Sequence, residues 1–191
     1  MEKLLRERKL YEWMERVDTD MAEAARAEGC DDCGGTVHRA DYPRKPRGGL
    51  KAVVEGWAKR WSWCCERDGC RKRKTPPSVR FLGRKVYVSV VVILVAAMRQ
   101  GLSGKRVARL DEALGVDRRT LERWRQWWTE TFAQSAFWRG VRGRFRGLVA
   151  ADRLPLALVE AFRAGRRDGL EKLLVFLTPI TSDTRKGVAA M

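Results

Sequence analysis

The stretch Cys30-Asp31-Asp32-Cys33-Gly34-Gly35, answered by Cys65-Glu66-Arg67-Asp68-Gly69-Cys70-Arg71 with thirty-one residues between the two cysteine pairs, decides how the first half of this chain folds. Each is a tight turn that presents two thiols. Two such turns are the usual way in which a β ribbon surrounds a tetrahedral zinc ion with four sulfurs. Glycines behind Cys33 relieve the backbone where the turn's N–H groups point at sulfur. The lysines and arginines nearby lower thiol pKa values, which favours metal binding. The chain has five cysteines. Cys65 is the expected ligand rather than Cys64, because Cys65 to Cys70 forms a self-contained knuckle and Cys64 then points to the other side of its strand. The expectation is one structural zinc, held by Cys30, Cys33, Cys65 and Cys70. His38 is the only histidine; it could replace a cysteine ligand, although a surface or strand histidine is the simpler reading. A redox role for Cys30 and Cys33 would require a βαβ setting that the surrounding sequence lacks.

Outward from the cysteines the character changes on both sides. Residues 2–28 read as an amphipathic helix, with Leu10, Trp13 or Met14, Val17, Met21 and Ala24 or Ala25 recurring at spacings of three and four, and with Gly29 as its stop. The segment from Tyr42 to Gly49 reads as a basic loop, since two prolines and a glycine pair oppose regular structure. Trp57 to Trp63 can run as a strand into the second knuckle. Its alternating Trp57, Trp61 and Trp63 could stack on bases, but bracing a thin ribbon is the favoured role. Val86–Met98 is thirteen apolar-rich residues, short of the roughly twenty that cross a membrane. Its β-branched run would suit a buried strand. Its continuation to Gln100 and Gly101 favours a helix. The predicted organisation is an N-terminal helix (1–29), a ribbon with its basic loop (30–80), a helix-turn-helix (81–130) and a C-terminal helical region (131–191) broken at glycines 140, 143, 147, 165 and 169, with residues 179–191 frayed. The fold class is mainly α with a small β zinc ribbon.

The helix-turn-helix lies in Ser103–Trp124. Ser103 is placed to cap one helix that runs through Leu114, and Asp117 to cap a second that runs to about Trp128, around a turn at Gly115. Val107, Leu110 and Leu114 form one apolar stripe and Leu121, Trp124 and Trp128 the other, with Val116 plugging the turn. At 100° per residue, Arg119, Glu122, Arg123 and Gln126 project from the opposite face. These side-chain types hydrogen-bond base edges or phosphates in a major groove. Charge points the same way. The chain has 40 Lys+Arg against 24 Asp+Glu, a net +16. Residues 39–85 hold fifteen basic and four acidic side chains, whereas residues 1–28 hold six and eight. Such a basic block favours a polyanion, whose condensed counterions it releases. Arg44, Lys45, Arg47, Arg71, Lys72, Arg73 and Lys74 are the candidate phosphate grips, with Arg118, Arg119, Arg123 and Gln126 on the reading helix.

The two knuckles followed by a helix-turn-helix resemble the N-terminal DNA-binding region of bacterial insertion-sequence transposases and their small accessory proteins, over about residues 30–128. The resemblance implies binding to element ends or to a promoter. It stops short of transposition chemistry, because Asp152, Glu160 and Asp168 lack the strand-rich setting of an RNase H-like acidic triad. Other enzyme classes lack their parts. One histidine cannot supply a nicking nuclease's histidine pair, Tyr11, Tyr42 and Tyr87 stand outside any Arg/His cluster, and no phosphate-binding Gly-x4-Gly-Lys-[Ser/Thr] loop occurs. The expectation is a non-enzymatic, sequence-specific duplex-DNA-binding protein, cytoplasmic and associated with the bacterial nucleoid, that serves a mobile element or regulates transcription. It has no small-molecule substrate and no membrane. The alternative is an interaction subunit that docks its N-terminal and C-terminal helices on a transposase or nuclease and binds RNA or single strands.

Overall fold

The computed structural model describes residue 4 and residues 7–44, 58–82, 86–87, 103–114, 116–145, 147, 149–164 and 166–182. Helix α1, Arg8–Ala27, covers 20 residues and so spans about 30 Å. Its apolar stripe serves two cores in succession. Leu10, Tyr11 and Met14 pack with Leu121, Trp124, Trp128 and Leu173, while Ala22 and Ala25 pack with Cys30, Val37, Trp63 and Cys65. The chain then builds a ribbon from β1 (Val37–Arg39), β2 (Tyr42–Pro43), β3 (Lys59–Arg60), β4 (Trp63–Cys65) and β5 (Arg73–Lys74).

One antiparallel register runs through the hairpin. Val37 faces Cys65 and Arg39 faces Trp63, Tyr42 faces Arg60 and Pro43 faces Lys59, and the Arg44 N–H donates to the Ala58 carbonyl at 2.5 Å. The ladder breaks only where the Asp41 carboxylate takes the Ser62 N–H at 3.1 Å. Tyr42–Pro43 is therefore strand and not the start of a loop: proline tolerates this edge position because its missing N–H is not asked for. Strand β5 joins on the other side of β4, with Trp63 opposite Lys74 and Cys64 opposite Arg73.

A second correction concerns Val86. Val86–Tyr87 is a strand, β7, paired with β6 (Phe81–Leu82), so the β-branched run opens extended and not helical. The remainder of the expected helix, residues 88–98, lies outside the described residues. Helix α2 (Gly104–Leu114) follows Ser103, and α3 (Arg118–Gln126) follows Asp117. The side chains of Leu110 and Leu114 lie outside the described ones. Helix α3 continues as a π-helical turn over Trp127–Phe132, four residues beyond the expected end. A π turn brings residues five apart onto one face, and Trp127 and Phe132 accordingly meet in the core with ring centroids 5.8 Å apart. Helices α4 (Ala136–Val141), α5 (Leu156–Ala161) and α6 (Arg167–Phe176) close the structure.

The expected glycine breaks at 140 and 169 do not occur, since both glycines sit inside helices. At Gly169 the reason is close packing: a Cβ there would lie 2.2 Å from the Phe162 carbonyl. Nor is the tail free from residue 179 onward, because Ile180 and Thr181 are buried.

A buried polar joint ties these parts together. Asp18, in the middle of α1, takes the Arg80 Nε at 2.7 Å, the Val79 N–H at 2.7 Å and the Ser78 hydroxyl at 2.6 Å. Arg80 also donates to the Lys59 carbonyl at 3.3 Å. Arg60 donates to the carbonyls of Pro76 and Thr181, and the Ser78 N–H donates to the Thr181 hydroxyl at 2.8 Å. Ribbon, α1 and the C-terminal segment share this one network.

Candidate metal centre and basic surface

The two knuckles converge. The Cys30 and Cys70 sulfurs lie 3.7 Å apart and those of Cys33 and Cys65 3.5 Å apart. All four lie within 4.8 Å of one another. Disulfides need about 2.05 Å, so these are thiols. A tetrahedral ion with metal–sulfur bonds of about 2.3 Å has edges of about 3.8 Å, close to the 3.7 and 3.5 Å of these two pairs. The four cysteines therefore sit in a geometry that can hold a metal ion, and it is Cys65, not Cys64, that joins the cluster. Cys64 turns to the opposite face, with its thiol 3.6 Å from the Arg71 carbonyl. His38, directly across from Cys64, is exposed and stands outside the cysteine cluster.

Local chain geometry explains the convergence. The Gly34 N–H donates to the Cys30 carbonyl at 2.8 Å and the Cys30 N–H to the Gly35 carbonyl at 2.9 Å, a turn that places Gly34 at φ +66°. A Cβ on Gly35 would stand 3.3 Å from the Cys33 sulfur, so the backbone approaches the thiol as only glycine permits. The backbone N–H of Gly35, aided by the Cys65 thiol, lowers the Cys33 pKa to about 7. Burial pushes that of Cys65 up to about 12. One thiol is thus poised to ionise near neutrality, and another needs the charge of an ion to release its proton.

The centre is clamped to α1. The Trp63 indole N–H donates to the Ala22 carbonyl at 2.8 Å, and the Arg26 guanidinium lies 5.6 Å from that ring's centroid. Lys74 reaches Glu28 at 2.8 Å and Asp31 at 2.7 Å. Against the burial that would lower it, these two carboxylates hold the Lys74 ammonium above its ordinary pKa.

Lys74 is therefore a clamp, which removes it from the candidate phosphate grips. Arg73 is also occupied, donating to the Ala40 carbonyl at 2.8 Å. Arg71 pairs with Asp68 at 2.6 Å but keeps more than half of its side chain exposed. Lys72 is exposed and has no side-chain partner among the described residues. Arg44 lies 4.2 Å over the Tyr42 ring, while Lys45, Arg47 and Trp57 lie outside the described residues. The sequence offered one overlooked signal for the clamp: Glu28 and Asp31 bracket the first ligand, opposite a lysine in an otherwise basic strand.

On α3 the Asp117 carboxylate accepts the Thr120 N–H at 2.6 Å, the expected cap. Leu121, Trp124 and Trp128 are buried. Arg118, Arg119, Glu122, Arg123, Arg125 and Gln126 are exposed. Gln126 donates to Glu130 at 2.9 Å, a bond it would have to give up to reach a base. Asp152 and Asp168 are exposed and Glu160 pairs with Arg153 at 2.8 Å, so the three acids form no cluster. Among the described residues, no helix is long and apolar enough to cross a membrane. Comparison of the chain with protein-family models, with curated proteins and with solved structures finds no match in any of the three, which leaves these residues and their geometry to carry the functional reading.

Proposed function

We propose that this chain is a non-catalytic duplex-DNA-binding protein that reads bases with α3 and uses one structural zinc ion to fix a basic ribbon beside it. The carrying observation is the division of α3. An aspartate-capped helix anchors Leu121, Trp124 and Trp128 in the core and offers Arg119, Arg123 and Gln126 outward. Arginine pairs bidentately with guanine and glutamine with adenine, and Arg118, Arg71 and Lys72 supply sequence-blind bonds to phosphate. Zinc suits a closed set of four thiolates, which leaves no open coordination position for chemistry. The rival, an interaction subunit docked through its terminal helices, has less to recommend it, because the apolar faces of α1 and α6 are already spent on the chain's own core. Service to a mobile element, as accessory factor or regulator, remains part of the proposal through the resemblance of residues 30–128.

The test is binding-site selection with wild type, Arg119→Ala and Arg123→Ala. Removing a bidentate arginine–guanine pairing costs about 1–3 kcal/mol and relaxes preference at one base pair, with melting unchanged. Trp124→Ala should instead cost about 3–5 kcal/mol of stability. An unchanged selected sequence in both arginine variants refutes the reading helix. Preference for RNA or single strands over duplex favours the rival.

A further inference from the structure

From Thr131 to Ala151 the chain carries four arginines, at 139, 142, 144 and 146, and no acidic residue. Arg139 lies in the last turn of α4, and Arg142 and Arg144 lie in the 3-10 turn Arg142–Phe145 that continues it. All three are exposed, and none has an ion pair or side-chain hydrogen bond among the described residues. Of the described arginines that follow, Arg163 is likewise unpaired, but Arg153 pairs with Glu160, Arg166 with Asp168 and Arg167 with Glu171. A solvated basic face normally recruits such carboxylates, and this segment excludes them.

The glycines between these arginines add a second, independent observation. Gly140 lies inside α4 and Gly143 in the 3-10 turn, both exposed. A Cβ at either would meet nothing within 4 Å, and neither has the positive φ that would require glycine. Glycine is the poorest helix former after proline, yet neither packing nor backbone conformation asks for it here. The remaining use of a bare backbone is close approach by a ligand. Behind the segment, Trp138 and Phe145 stack with centroids 5.7 Å apart and fix the turn to the core, so the arginines stand on a rigid base.

We propose that Arg139, Arg142 and Arg144, with the bare backbone at Gly140 and Gly143, form a second phosphate-binding surface. It grips the backbone of the same duplex outside the base pairs read by α3. This rests on the duplex-binding reading above. Arginine forks fit phosphate oxygens bidentately, and a sequence-blind grip needs charge and access without base-edge chemistry.

The experiment measures affinity against salt for a selected duplex and a random one, using wild type, an Arg139→Gln/Arg142→Gln/Arg144→Gln variant and a Gly140→Gln/Gly143→Gln variant. Metal content and melting are read alongside. Each phosphate that is no longer neutralised should lower the slope of log affinity against log salt by roughly 0.9, up to about 2.7 for the three arginines. Both duplexes should weaken alike and base preference should stay the same. The glycine variant should melt at or above wild type and still bind more weakly, a combination that a purely structural role for the glycines does not produce. An unchanged slope in the arginine variant, or a relaxed base preference, overturns this surface while leaving the α3 reader standing. Failure of wild type to bind duplex DNA overturns both.

Discussion

Replacing Asp18 with alanine should be among the most damaging single changes this chain can suffer, although Asp18 is no part of the proposed reader. Its carboxylate is fully buried and faces the equally buried Arg80 guanidinium at 2.7 Å. Arg60 lies in the same joint, where burial lowers its pKa and Asp18 opposes that shift. Alanine would leave two buried cations without a counter-charge. Removing one partner of a buried ion pair costs about 3–5 kcal/mol, and the Val79 N–H and Ser78 hydroxyl would each lose an acceptor worth about 1 kcal/mol. The expected loss is about 4 kcal/mol or more. For a chain of this length each kcal/mol lowers the melting temperature by about 2–4 °C, so melting should fall by roughly 8–16 °C. The assay is thermal and urea denaturation of wild type, Asp18→Ala and the double variant Asp18→Ala/Arg80→Met. The double variant removes the Arg80 charge and leaves only Arg60 without its counter-charge, so it should recover part of the loss. Asp18→Ala within about 1 kcal/mol of wild type, or a double variant no better than the single, would refute the claim that this joint holds ribbon and helices together.

Three further outcomes are expected. Cys30→Ser should lose bound zinc by elemental analysis and Cys64→Ser should retain it; the reverse pattern would overturn the ligand set. Zinc affinity should fall as pH drops: the ion binds thiolate, so once pH passes below about 7 the Cys33 proton must be displaced in addition to those already carried by thiols such as Cys65 and Cys70, whose pKa values are raised, and a competition titration should steepen there by about one proton. Lys74→Met should lower stability by about 1–3 kcal/mol, because its charged hydrogen bonds disappear, whereas Lys72→Ala should leave melting unchanged and lower the salt slope of DNA binding by roughly 0.9; equal melting losses would contradict the division between clamp and grip.

The parts of this fold that could be read from the sequence are those specified by local pattern. Two Cys knuckles with glycines, the 100° periodicity of α1 and the Asp117 cap each need only their neighbours, and each stands where spacing places it. What escaped was decided by partners distant in the chain. Tyr42–Pro43 becomes strand because Lys59–Arg60 supplies a ladder that has no use for the proline N–H, and Val86–Tyr87 is extended because Phe81–Leu82 pairs with it. Gly169 read as a helix break, yet it is a point of close approach set by the Phe162 carbonyl. Lys74 read as one more cation in a basic run. Only the fold brings Glu28 and Asp31 to it, and a sum over charges cannot separate a satisfied lysine from a free one.

That distinction changes where a polyanion would lie. Counting alone places the greatest attraction at residues 39–85. In the folded chain much of that charge is internally engaged: Arg60 and Arg80 are buried, Arg73 and Lys74 hold the ribbon, and Arg44 lies over Tyr42. Among the described residues, Arg119, Arg123 and Arg125 on α3 and Arg139, Arg142 and Arg144 at the end of α4 are exposed without an ion pair, as are Arg67 and Lys72 of the ribbon. The π turn and the aromatic core join the two helical surfaces directly, through Phe132 and Trp138 at 5.6 Å. The ribbon's contribution is then mechanical as much as electrostatic. Held by Lys74 and by the Asp18 joint, it packs on the second half of α1, whose first half shares a core with α3.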